Sequence, residues 1–133
     1  MRFLSIYKHT ERATPPSPEE MAKVGKAVEE GIKSGKLIST EGCLPSAMGA
    51  RVRIADGKIT VTDGPFTEAK EVIGGFAILN ASSKEEAIEQ AKEFLQMMGE
   101  GETEVRQLFE APQQVQQNYE TLAKLRAQGA AKA

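Results

Sequence analysis

The sequence has no tryptophan, one cysteine and one histidine in 133 residues, and aromatic side chains make up only 5% of it. A single cysteine, Cys43, excludes an intrachain disulfide and fits a reducing compartment. One histidine and one cysteine, without CxxC or HxxxH spacing, exclude the usual zinc ligand sets. No glycine-rich phosphate loop follows a strand-like run. No metal and no organic cofactor is therefore expected. No apolar run approaches the ~18 residues of a membrane span, and the opening Met1–Tyr7 stretch is too short and lacks the cleavage pattern of a signal peptide. Nor is there a basic excess: Lys+Arg number 17 against 19 Asp+Glu, a net charge of −2. That balance argues against a nucleic-acid partner, which calls for a basic face. A cytoplasmic protein with no membrane or nucleic-acid partner is expected.

What is present suits one packed domain. Hydrophobic residues reach 40% and charged residues 27%, a globular balance. Residues 2–8 read as a strand with Leu4 and Ile6 on one face and Phe3 and Tyr7 on the other. Ser17-Pro18-Glu19-Glu20 is a helix start with N-cap, proline at N1 and glutamate at N3. The helix runs over 18–34 with Met21, Val24, Val28 and Ile32 in register, and Gly35 closes it. A short strand comes next at 37–41. Residues 50–55 and 58–62 alternate as a half-buried hairpin around Asp56-Gly57. A strand over 73–80, a helix over 83–98 and a strand over 103–109 complete a second βαβ-like half. The order predicts an α+β, ferredoxin-like fold, an antiparallel sheet with helices on one face. The domain covers 1–111. Residues 112–133 form a glutamine-rich helical tail with Val115, Tyr119, Leu122 and Leu125 as its stripe. Since strand 2–8 is apolar on both faces and the helices cover one, a second copy is expected on the other, making a homodimer.

Most information lies in Asp63-Gly64-Pro65-Phe66-Thr67-Glu68-Ala69-Lys70-Glu71 and the nearby pair Gly74-Gly75. Asp-Gly-Pro fixes one turn shape. Asp63 is a candidate anchor or general base, or the cap of its own turn. Backbone N–H groups just after it, at 65 or 66, would favour its charged form and the anchor role. Glu68, Lys70 and Glu71 form a polar wall or a solvated loop. Gly74 and Gly75 allow close approach by a ligand or another chain, or mark a bulge. Arg51 and Arg53 share a strand face and suit a carboxylate or phosphate, or pair with an acidic neighbour. His9 is the one side chain whose ordinary pKa lies near neutrality, so His9, Asp63 and Glu68 are the catalytic candidates. Lys70, Arg51, Arg53, Gly74 and Gly75 are the substrate-binding ones. Cys43 reads as a small buried hydrophobe.

The run from Asp63 to Glu71, with Gly74-Gly75-Phe76, the Ser-Pro-Glu-Glu-Met helix start and the Gly42-Cys-Leu-Pro45 turn, resembles the DGPF or YCII-related family over about residues 1–110. The resemblance implies a dimeric ferredoxin-like α/β-barrel with a pocket near the interface of two sheets. The function expected of such a pocket is binding a small molecule or acting on it by acid–base chemistry. Some relatives sit beside or are fused to extracytoplasmic-function sigma factors, which implies a regulatory alternative without chemistry. A His–Asp pair proposed as catalytic in relatives has no histidine to match it in the first helix here; the one histidine is His9.

Overall fold

A computed structural model describes residues 1–66 and 68–129, without the side chains of 112–114. Its elements in chain order are β1 (Arg2–His9), α1 (Pro18–Ser34), β2 (Leu37–Gly42), a 3-10 turn (Ser46–Met48), β3 (Ala50–Ala55), β4 (Lys58–Asp63), β5 (Val72–Asn80), α2 (Lys84–Met98), β6 (Glu102–Gln107) and α3 (Pro112–Ala127). Four strands form one antiparallel sheet in the order β2-β5-β1-β6. The two central strands each pair on both sides. The sheet is open, so a single chain forms no closed barrel, and β3 and β4 make a separate two-stranded sheet.

Alternation along β1 assigns its two faces. Phe3, Ser5 and Tyr7 are buried on the helix side, and Leu4 and Ile6 are half-buried on the other. Phe3, at 1% exposure, packs with Leu79, Ala81 and Ala87, and Leu37, Ala77 and Val105 close the cluster. Burying a phenylalanine stabilises by roughly 1.5–3 kcal/mol, and with no tryptophan in the chain this cluster anchors the fold.

The helices start as their sequence dictates. The Ser17 and Ser83 hydroxyls accept the Glu20 and Glu86 backbone N–H groups, satisfying donors that the first helical turn leaves unpaired. They differ in seating. Ala87 and Ala91 of α2 are buried, whereas α1 buries no residue completely. The α1 stripe is also rotated from the one expected: Met21 and Ile32 are exposed, and Val24, Ala27, Val28 and Gly31 turn inward. At Gly31 α1 comes close to β2, a Cβ there lying 2.9 Å from that of Leu37.

The hairpin departs from the half-buried expectation. Asp56 and Gly57, at φ 50° and 75°, make the tight turn, and the register is regular. Yet all twelve strand residues are exposed. The alternation is real, but nothing among the described residues covers its apolar side. Within the expected tail, Pro112–Ala127 is α3, with Tyr119 and Leu125 exposed, and residues 130–133 lie outside the described ones. Among the described residues no helix is long and apolar enough to cross a membrane.

Candidate functional site

Because α1 stands off the sheet, the helix side encloses a cavity of about 1130 Å³. Ligand pockets usually span ~300–1,000 Å³, and this cavity lies just above the upper end of that range. Its walls are apolar: Val24, Ala27 and Val28 from α1, and Ala91, Phe94 and Met97 from α2. The sheet supplies the floor through Tyr7, Gly75, Ala77 and Leu79. Within one chain the large cavity thus lies beneath the helices, on the opposite side of the sheet from the one the resemblance implies.

Polar groups gather at one end, where β1 leaves the sheet. The His9 ring stacks on Tyr7, with centroids 5.2 Å apart, and Phe94 meets Tyr7 edge-on at 5.1 Å. The Tyr7 hydroxyl donates to the Glu100 carbonyl at 2.8 Å. Burial first, and the Glu100 carboxylate second, push the Tyr7 phenol above its ordinary range, so it remains a neutral donor. His9 Nδ1 lies 2.8 Å from the Thr10 carbonyl. A carbonyl only accepts, so in the neutral ring Nδ1 carries the proton and Nε2 keeps its lone pair.

Gly74 makes that arrangement possible. Tyr7 pairs with Gly75 and Lys8 with Ile73, so Gly74 is an extra residue opposite one step of β1, a β-bulge. A Cβ on Gly74 would lie 2.5 Å from His9 Nε2 and 2.4 Å from its Cδ2. The imidazole therefore occupies the space a side chain would take. At Gly75 the tight neighbour is the Glu41 carbonyl of β2, 2.6 Å from a built Cβ. Both glycines serve close approach by the protein's own groups.

A strap ties this end to the Asp-Gly-Pro-Phe loop. Glu11 accepts the Ser46 backbone N–H and the Ser46 hydroxyl, each at 2.6 Å. These two bonds, the hydroxyl first, hold the Glu11 carboxyl below its ordinary value. The Ser46 hydroxyl oxygen in turn accepts the Phe66 N–H at 3.2 Å. Gly64 donates to the Gly49 carbonyl at 2.9 Å, and a Cβ on Gly64 would lie 1.7 Å from the Ser46 carbonyl oxygen. Gly64 is thus required by contact. Across the cavity mouth, Arg12 pairs with Glu20 of α1 at 2.9 Å.

The candidates named from sequence separate into two groups. His9, Gly74 and Gly75 line the cavity. Asp63, Glu68, Lys70, Arg51 and Arg53 are not among its lining residues. Arg51 pairs with Glu68 and lies 3.9 Å over the Phe66 ring. The Glu68 carboxyl is held low by its own backbone N–H first and by Arg51 after it. Arg53 and Lys70 form no ion pair among the described residues, and Asp63 ends β4 with no hydrogen bond to its side chain there. The expected donors to Asp63 are spoken for: Pro65 has no N–H, and that of Phe66 goes to Ser46. Cys43 is exposed at the cavity rim, not buried. Sequence reasoning missed Glu11, Arg12 and Ser46. The Glu11–Ser46 contact joins positions 35 apart and has no local signature. Among the described residues no group of three or more histidine, cysteine or carboxylate side chains could hold a metal.

A family model described as the YCII-related domain matches residues 1–112. An uncharacterized protein of Rhizobium meliloti (strain 1021) is 34% identical over 62 residues, 47% of this chain and 50% of that protein. The match spans about half the length of that relative.

Proposed function

The chain belongs to the YCII-related domain family, and from that premise we propose that it binds a small, partly apolar molecule in the cavity beneath α1 and α2 and acts on it by acid–base chemistry. One observation carries this reading: His9 lies in the cavity wall with Nδ1–H directed to Thr10, which leaves Nε2 as the proton acceptor. A neutral imidazole oriented by its second nitrogen is the usual form of a general base. Tyr7 is the neighbouring neutral donor. Glu11, with both oxygens engaged by Ser46, positions the loop after β1. In this reading Asp63, Glu68, Lys70, Arg51 and Arg53 support the site through the loop that Ser46 holds. A second copy over the open sheet face covers the apolar side that the helices leave bare, so the working form is a homodimer, with a cavity beneath the helices of each chain.

The test is a thermal-shift screen of metabolites against three proteins: wild type, Ala27→Phe and His9→Phe. Ala27→Phe fills the cavity from α1. His9→Phe keeps a ring on Tyr7 and removes Nε2. A ligand that stabilises wild type and His9→Phe, gives no shift with Ala27→Phe and is converted only by wild type is the expected result. A ligand whose shift survives Ala27→Phe binds elsewhere and refutes the cavity. Conversion that survives His9→Phe removes His9 from the chemistry.

A second reading, a regulatory module without chemistry, draws on α3, whose Tyr119 and Leu125 are exposed. It is favoured if no metabolite shifts any of the three proteins and a partner protein binds through α3.

A further inference from the structure

We infer that the β3–β4 hairpin is an arm that seats its apolar face on the open sheet face of a second copy. The inference rests on the homodimer reading above and names the element that makes the contact. The arm presents Val52 opposite Val61 and Ile54 opposite Ile59. These four side chains, on one face, are 70%, 63%, 68% and 67% exposed. A lone two-stranded hairpin is marginal in water, and four β-branched residues together on the solvent side are an uncovered interface.

The open sheet face carries the same lattice. Leu4 stands opposite Ile78 and Ile6 opposite Phe76, on the two central antiparallel strands. Both patches are two residues by two, about 6.8 Å apart along the strand and about 5 Å across it. Two such surfaces interdigitate when sheets pack face to face at about 10 Å. The patches therefore match in pitch, chemistry and size.

The arm does not fold back onto its own sheet. Its base is held by the Gly64 N–H on the Gly49 carbonyl and by the Phe66 N–H on Ser46, and every strand residue of the arm is exposed. A two-fold operation lets each copy cover the other's patch.

Area favours using both surfaces. Six residues at about 3.4 Å each, two strands wide, give an arm face of roughly 200 Å². That alone is well short of the ~800 Å² per partner of a stable interface. The sheet, four strands wide and eight to nine residues long at its centre, offers roughly 500 Å² by the same spacing. An arm covers only its own footprint of the seat, so arm and covered seat come to about 400 Å² of flat projection per copy, twice what arm against arm gives. That is the scale of a small, weak interface.

The experiment uses the full chain with Cys43→Ser, so that introduced thiols are the only ones. Ile59→Cys on the arm and Phe76→Cys on the sheet are made in separate chains of different mass, mixed, and treated with a short bismaleimide. Sedimentation runs alongside on wild type and on the double variant Ile54→Lys/Ile59→Lys. Expected are a wild-type dimer, an arm-to-sheet cross-linked heterodimer as the main product, and a dimer dissociation constant raised at least tenfold by the lysines with the helical circular-dichroism signal unchanged. A dimer that keeps its dissociation constant in the lysine variant, or cross-links arm only to arm, overturns the arm and leaves the homodimer standing. A wild-type monomer at 100 µM overturns both. Cross-linking of Ile59→Cys to Phe76→Cys within one doubly substituted chain, at a yield independent of dilution, overturns the arm as well.

Discussion

β1 and the β3–β4 hairpin are written in the same alternating pattern and end in opposite conditions. On β1, Phe3, Ser5 and Tyr7 are buried. On the hairpin Val52, Ile54, Ile59 and Val61 alternate just as regularly and remain more than 60% exposed. The difference lies in the elements that the chain folds over each of them. After β1 comes an amphipathic helix, and α2 returns over the same face with Ala87 and Ala91. The hairpin turns back after two residues and is tethered only at its base. Period-two patterning identifies an apolar face; which element covers it is a property of topology, and of other copies of the chain.

The largest effect expected from testing this contrast comes from truncating one side chain on each. Phe3→Ala empties a fully buried site and lowers the unfolding free energy by about 3–5 kcal/mol. In dilute protein, where copies are apart, Val61→Ala changes it by no more than about 0.5 kcal/mol. Denaturant titration of both variants gives the comparison directly, and comparable losses would mean that the arm is packed within its own chain.

The next test is at the arm's base. Gly64→Ala places a methyl group 1.7 Å from the Ser46 carbonyl oxygen, and backbone has to move. A loss of about 1–3 kcal/mol is expected, with faster proteolysis in 46–66 and an unchanged Phe3 cluster. Wild-type melting and wild-type cleavage would show that the Ser46 turn does not hold the loop.

These expectations also mark how far the sequence could be read. The succession of strands and helices, α1 from 18 to 34 and the hairpin turn come from local patterns: a capped start, an Asp-Gly pair, period two. The Asp63–Glu71 run stood out by its turn residues and charges, and it carried the resemblance. Neither revealed that Phe66 and Gly64 are bound by Ser46, or that the cavity opens beneath α1. Such contacts depend on how far a helix stands from a sheet, and no spacing along the chain records that distance. His9 was legible as the one imidazole, and Gly74-Gly75 as a candidate bulge. That the bulge houses the imidazole needed the register of β1 against β5.

The smallest effect separates the strap from the arm by pH. The Glu11 carboxyl lies below its ordinary value because Ser46 donates to it twice. A carboxyl depressed on folding contributes stability that is complete above its unfolded value, about 4.3, and is lost as pH falls through the lower folded value. Glu11→Gln is therefore expected to be less stable than wild type at pH 7 and to converge with it in acid. Parallel curves throughout would remove Glu11 from the strap.

The bulge at Gly74 bears on which length changes the chain tolerates. Ile73 and Phe76 are three positions apart, yet they pair with Lys8 and Ile6, residues of the same parity on β1. One supernumerary residue reconciles the odd count with the even one. Removing it leaves Ile73 opposite Lys8 and Val72 opposite His9 in a regular ladder, and takes away the room beside Gly74 that the His9 ring fills. A deletion at 74 is thus expected to keep the pairing and displace the imidazole, whereas one in the turn at 68–71 leaves the His9 ring in place. Relatives that differ in length are expected to place the difference before Val72, and to keep the odd residue.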